Sequence, residues 1–194
     1  MPLLLFKEDI IKHKEFILST LIEGGIIIYP TDTLYGIGGR ADWDSVAQRV
    51  YDIKKRDKSL PLNVIAPDFD YIENNFILKE NDKKILHKYL PGPYTPLLLP
   101  QESCSISKLT YSNLEKKGIR ICNHYIQDLV FELQLPLIST SANISGDESA
   151  KVFDDISPEL LKQADIVIVD DDNVSGYQSK IFDIEDNRII SLVR

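Results

Sequence analysis

Pro30-Thr31-Asp32-Thr33-Leu34-Tyr35-Gly36 is the stretch at which an apolar run gives way to polar chemistry. Just upstream, residues 26–29 read Ile-Ile-Ile-Tyr between Gly25 and Pro30. A short β-branched and aromatic run bounded by glycine and proline predicts a buried strand. Downstream, Gly36, Gly38 and Gly39 leave backbone uncovered, so a ligand can approach closely. Thr31, Thr33 and Tyr35 add three hydroxyls and Asp32 a carboxylate. Alone, the heptad reads equally well as a polar strand-to-helix turn, so its meaning depends on what the rest of the chain brings to it.

Working outward, residues 8–23 place Ile10, Ile11, Ile17, Leu18, Leu21 and Ile22 at helical intervals. Asp42 or Asp44 can cap a second helix in which Trp43, Val46, Ala47, Val50 and Ile53 share a face. Its end carries Lys54, Lys55, Arg56 and Lys58, which suits the negative end of a helix dipole. Residues 62–66 predict a strand, 70–76 and 82–90 helices, and Pro91-Gly92-Pro93 a stop. Strands are expected at 94–99, 119–122, 137–139 and 166–169, with helices at 126–133 and after Ser157-Pro158. Residues 101–117 are polar with weak periodicity and predict a mobile loop, conceivably a lid. Residues 181–184 and 189–193 predict a closing hairpin across Glu185, Asp186 and Asn187, so the sheet should be mixed rather than wholly parallel.

The 194 residues, 43% hydrophobic, suffice for one compact α/β domain over 1–194. A formal charge of -8 gives no global attraction to nucleic acid or anionic membrane, so any anion site must be local. Residues 1–6 are too short for a signal-peptide core, and no run approaches the ~18 apolar residues of a membrane span. A cytoplasmic protein is expected. Cys104 and Cys122 stand apart and predict reduced, packed thiols, while His13, His87 and His124 lack metal-ligand spacing. No P-loop, dinucleotide fingerprint, zinc-protease motif or nucleophile elbow occurs. Ser105-Ile106-Ser107-Lys108 matches a serine-lysine pattern without its companion motifs. Asp170, Asp171, Asp172 and Asn173 fail the calcium-loop pattern and read as a solvated acidic turn.

What remains are ligand-type residues at strand ends: the threonine-rich turn, the basic cluster at 54–58, Arg120, and Ser139-Thr140-Ser141-Ala142-Asn143-Ile144-Ser145-Gly146. In α/β sheets such ends converge on one crevice. Lysine as a point charge, arginine as a planar fork, and hydroxyls beside uncovered backbone together make an anion cradle. The basic cluster by itself reads more readily as a solvated helix end.

Taken together, these segments resemble the YrdC-like family, which includes threonylcarbamoyl-AMP synthases and their YciO relatives. Pro30 to Gly36 with Gly38, Lys54 and Arg56 before Pro61-Leu62, Leu90-Pro91-Gly92-Pro93-Tyr94-Thr95, Gly118 to Arg120, and Ser139 to Gly146 occur in the family's order and spacing, from about residue 24 to 194. The resemblance implies a single YrdC-like domain, a twisted mixed α/β sheet with flanking helices and a concave basic face. It implies synthesis of threonylcarbamoyl-AMP and pyrophosphate from L-threonine, bicarbonate and ATP, for the threonylcarbamoyladenosine modification of tRNA. Thr33, Arg120, Ser139 and Ser179 would hold threonine. Lys54, Arg56, Ser141, Asn143, Ser149 and Arg194 would contact ATP, with Lys54 and Arg56 closest to the chemistry. Magnesium would arrive on the phosphates, with no metal cage and no tightly bound cofactor. The implied macromolecular partners are tRNA or double-stranded RNA and tRNA-modification proteins; the alternative function is a module that binds double-stranded RNA or tRNA without robust synthase activity. A carbamoyl-transfer role, as in larger hydrogenase-maturation proteins, ranks third. The sequence departs from the family pattern at Asp57, Ile65, Lys116 and Lys180, and its LPGPYT wording leans toward the YciO branch while STSAN leans toward the synthases.

Overall fold

The computed structural model describes residues 2–112, 114–185 and 188–192. Its first half runs β1 (Leu3–Phe6), α1 (Ile10–Ile22), β2 (Ile27–Tyr29), β3 (Gly36–Gly38), α2 (Asp44–Lys54), β4 (Val64–Ile65), α3 (Phe69–Asn75), α4 (Glu80–Tyr89) and β5 (Tyr94–Leu98). The second half runs β6 (Lys117–Arg120), α5 (Ile126–Leu133), β7 (Leu137–Ile138), β8 (Thr140–Ser141), α6 (Pro158–Leu161), β9 (Ile166–Val169), β10 (Lys180–Glu185) and β11 (Arg188–Leu192). The mixed α/β character is as the sequence implies, but the strands divide between two sheets, ordered β1-β9-β2-β3-β8 and β11-β10-β5-β6-β4-β7.

Strand β2 shows why these residues sit where they do. Ile26 and Ile28 enter one hydrophobic cluster with Ile37, Val50, Val64, Ile119 and Ile138. Ile27 and Tyr29 enter a second, with Ile17 and Leu21 of α1 and Ile126 and Val130 of α5. A strand buried on both faces needs an unbroken apolar run, which is what residues 26–29 provide. β9, its parallel neighbour, divides likewise, with Val167 in the first cluster and Ile166 and Ile168 in the second.

Helix boundaries follow local chemistry. Ser157 Oγ accepts from Leu160 N at 3.2 Å, with Pro158 at the first turn of α6. Asp68 caps α3 by accepting from Tyr71 N at 2.6 Å. α2 ends at Lys54 because Lys55 turns left-handed, with φ 49°.

Several elements depart from the sequence expectation. β1 pairs in parallel with β9 from within the first six residues, and β3 lies inside the glycine-rich stretch read as a turn. Part of the segment read as a mobile lid is packed: Ser107 Oγ accepts from Leu109 N, a 3-10 turn spans Lys108–Tyr111, and Thr110 and Tyr111 are buried. β6 starts at Lys117, earlier than expected. The β10–β11 pairing is antiparallel as expected, while the tip residues 186 and 187 and the terminal pair 193 and 194 lie outside the described residues. Among the described residues no helix is long and apolar enough to cross a membrane.

The two sheets meet closely. β7 belongs to one and β8 to the other, with Ser139 the residue between them. At that crossing a Cβ on Gly38 would overlap the Ile138 carbonyl oxygen, so only glycine fits. Ile138 N donates to Gly39 O at 2.8 Å, and Tyr29 OH donates to Ile138 O at 2.9 Å.

Candidate active site

A cleft of about 130 Å³ opens along this seam. One wall comes from the turn between β2 and β3 and from β8, supplying Thr31, Thr33, Tyr35 and Ser141. The other comes from the second sheet, with Arg120 at the end of β6, Ser179 just before β10 and Asn63 just before β4. Ser139, at the crossing, and Arg56, just past α2, complete it.

The turn is held by its own hydroxyls. Thr31 Oγ1 accepts from Thr33 N at 3.1 Å and from Leu34 N at 3.2 Å, and it contacts Thr33 Oγ1 at 2.8 Å. Tyr35 OH anchors the far side, donating to Asp171 Oδ1 at 2.8 Å and accepting from Asp170 N at 3.0 Å. The two strands of this wall are tied beside Tyr35, where Ala142 N donates to Tyr35 O at 2.8 Å, and Gly36 pairs with Ser141.

Arg120 is buried against this turn. Nη1 donates to Thr33 Oγ1 at 3.0 Å, while Nη2 is paired with Asp32 and reaches Gly92 O at 3.3 Å. Arg56 is half-buried and donates from Nη2 to Pro61 O at 3.0 Å. Ser179 Oγ contacts Thr95 Oγ1 at 2.8 Å, and Ser139 N donates to Asn63 O at 2.8 Å. Two guanidinium groups among several hydroxyls in a partly enclosed space suit a ligand with more than one anionic group.

Lys54 is placed differently from its neighbour. It is 1% exposed, its Nζ donates to Ser141 O and to Asn143 O (2.7 Å), and its own carbonyl accepts from Ser145 N at 2.8 Å. It does not line the cleft and instead ties the end of α2 to the serine-rich loop. Burial, and then the nearby Arg56 charge, push its amine down to about 7. Lys55 is exposed in an ion pair with Glu159 at 2.7 Å, and Lys58 bonds Gln48, so the four basic side chains share no common surface.

Of the other expected nucleotide contacts, Ser141 lines the cleft. Asn143 does not: its Nδ2 donates to Ile144 O (2.8 Å) and Asp147 O (2.9 Å) within its own loop. Ser149 also lies off the cleft, accepting from Gln178 Nε2 at 3.4 Å. Arg194 is outside the described residues. Asn63 and Gln178 line the cleft without having been singled out from sequence, although Asn63 is the one polar residue in the apolar run 62–66. Among the departures from the family pattern, Ile65 is buried opposite Arg120, Lys116 pairs with Asp183 at 2.7 Å, and Asp57 and Lys180 are exposed. Cys122, next to the site, is buried and its thiol is pushed up to about 12, which leaves it protonated and unreactive. Among the described residues no group of three or more His, Cys, Asp or Glu side chains could hold a metal ion.

The family model Sua5/YciO/YrdC, described as "Telomere recombination", matches residues 19–194. The chain belongs to the Sua5/YciO/YrdC family. It is 37% identical over 187 residues to a Methanocaldococcus jannaschii protein named "Putative threonylcarbamoyl-AMP synthase", covering 96% of this chain and 87% of that one. P. abyssi Sua5, solved in complex with L-threonine, matches with a TM-score of 0.79 and 22% identity over 95% of this chain. The present chain spans about half of that protein, 54% of its length. E. coli YciO matches with a TM-score of 0.81 and 18% identity, covering 100% of this chain and 95% of that one. At these identities the structural matches establish the Sua5/YciO/YrdC fold. They include both a Sua5 and a YciO protein, in keeping with the mixed wording of the sequence motifs.

Proposed function

We propose that the protein is a threonylcarbamoyl-AMP synthase, joining L-threonine, bicarbonate and ATP with release of pyrophosphate. The observation that carries this reading is the cleft, where Thr33, Arg120, Ser139 and Ser179 gather beside Arg56 and Ser141. The relatedness to the M. jannaschii protein and the threonine bound by P. abyssi Sua5 support it. Arg120 and the surrounding hydroxyls receive the threonine, and Arg56 with the Ser141 wall receives the triphosphate.

Chemically, the threonine amine attacks the carbon of bicarbonate to give a carbamate and water. A carbamate oxygen then bonds to the α-phosphorus as the bond from that phosphorus to the bridging oxygen breaks, and pyrophosphate leaves. Nothing in this sequence of steps needs a covalent enzyme intermediate. The protein's part is to align the anionic groups and to offset charge developing on the phosphate oxygens. Magnesium enters as the counter-ion of the triphosphate. The adenylate is then the donor for the modification of tRNA, which makes tRNA-modification proteins its natural partners.

The test is pyrophosphate release by the purified protein with ATP and Mg2+. Release that requires both threonine and bicarbonate is expected. Release independent of either one would overturn the reading.

A further inference from the structure

Arg120 presents five N–H groups, and three of them have partners within the protein. Nη2 serves both Asp32 and Gly92 O, and Nη1 serves Thr33 Oγ1. Nε is buried and has no partner among the described residues. A carboxylate takes two parallel bonds from a guanidinium at one of two edges, Nη1 with Nη2 or Nε with Nη2. Both edges include Nη2. A carboxylate entering the cleft therefore finds no complete fork until Asp32 or Gly92 O gives way.

The two occupants differ in freedom. Gly92 O is a main-chain atom in the turn between Pro91 and Pro93, and it also accepts from Tyr94 N at 2.8 Å. Asp32 is a side chain with a second place to go: its Oδ2 already lies 3.4 Å from the amide N of Asn123, an exposed residue. Swinging toward that amide frees Nη2 without leaving the carboxylate unsolvated. The exchange replaces one carboxylate by another on the same cation, so the net charge at Arg120 is unchanged.

We infer that Asp32 is an internal stand-in for the substrate carboxylate, holding the Arg120 fork from just behind the cleft lining and yielding it on binding. This rests on the proposed threonine site and adds a selection rule. A ligand must bring a carboxylate able to displace Asp32, and its affinity is a difference between two carboxylates rather than the full strength of one.

The experiment is calorimetric titration of L-threonine, L-threoninamide and acetate into the wild type and Asp32→Asn, with melting temperature as the folding control. Asparagine keeps the shape and removes the charge. Threonine should bind the variant at least about tenfold more tightly, the gain expected when a charge-assisted competitor becomes neutral, and threoninamide should gain nothing. Unchanged or weaker binding of threonine and acetate by Asp32→Asn overturns the inference and leaves Asp32 as a tether for the turn. If acetate gains but threonine binds no better than acetate, the stand-in survives and the threonine reading falls. A structure of the wild type saturated with threonine decides independently of the variant's folding: Asp32 released from Nη2 supports the inference, and Asp32 still bonded there overturns it.

Discussion

Arg120 and Lys54 are both buried basic residues from family motifs, yet they act on different kinds of partner. Arg120 serves Asp32, Thr33 and Gly92 from two nitrogens of one planar fork, a geometry that an ammonium cannot reproduce. Arg120→Lys should therefore weaken threonine binding by about tenfold or more in calorimetry, and equal affinities would show that Arg120 only supports the turn. Lys54 instead serves two carbonyls, and a neutral amine still has two N–H groups to give them. Its depressed pKa has a definite sign for stability. Between about 7, its value in the fold, and the ordinary 10.5, the unfolded chain carries a proton at this amine that the folded chain has shed. Raising the pH through that window should stabilise the fold, while below it the full cost of a buried ammonium is present. Melting curves across the window should rise less steeply for Lys54→Met than for the wild type. Parallel curves would mean that the carbonyls keep the amine protonated.

At the scale of elements, the end of α2 was legible in the sequence while its consequence was not. Lysine and arginine two apart cannot face one ligand from a continuing helix. α2 does end at Lys54, and Lys55 turns left-handed and outward. That Lys54 folds inward could not be read, because Ser141 and Asn143, whose carbonyls it meets, lie 87 and 89 positions away and any residue supplies a carbonyl. β3 was hidden because two of its three residues are strand-disfavouring glycines, and its pairing with β2 and β8, beside an Ile138 carbonyl that admits only glycine at 38, explains it. Residues 101–117 looked loose because they are polar with weak periodicity, and nothing in that pattern marks Lys117 as a core residue. In the fold it is buried, donating to Leu62 O and to Thr110 O (2.7 Å). The same reasoning ranks the basic cluster. Arg56→Ala should lower ATP affinity or turnover by roughly 10- to 150-fold if Arg56 meets phosphate. Lys55→Ala removes only an exposed ion pair and should cost under about 1 kcal/mol with no loss of pyrophosphate release. Equal damage from both would remove Arg56 from the proposed site.

For the whole molecule, a net charge of -8 and a basic cluster divided between interior, cleft and surface ion pairs give RNA little to hold. Any binding of double-stranded RNA should be weak and fall steeply between about 50 and 200 mM salt without sequence preference, as phosphate neutralisation requires. Salt-insensitive binding of one tRNA would contradict this and revive the module reading. The seam at Ser139 has a mechanical side as well. Thr33 and Ser141 stand on one bank and Arg120 and Ser179 on the other, so a molecule that touches both banks works as a rivet through two plates. Filling the cleft should slow amide exchange on both sheets together, and at a roughly hundredfold excess over its dissociation constant the rivet adds about 2.7 kcal/mol to the fold. A protein jointed in this way is stiffest when it is working and most pliant when it is starved of substrate.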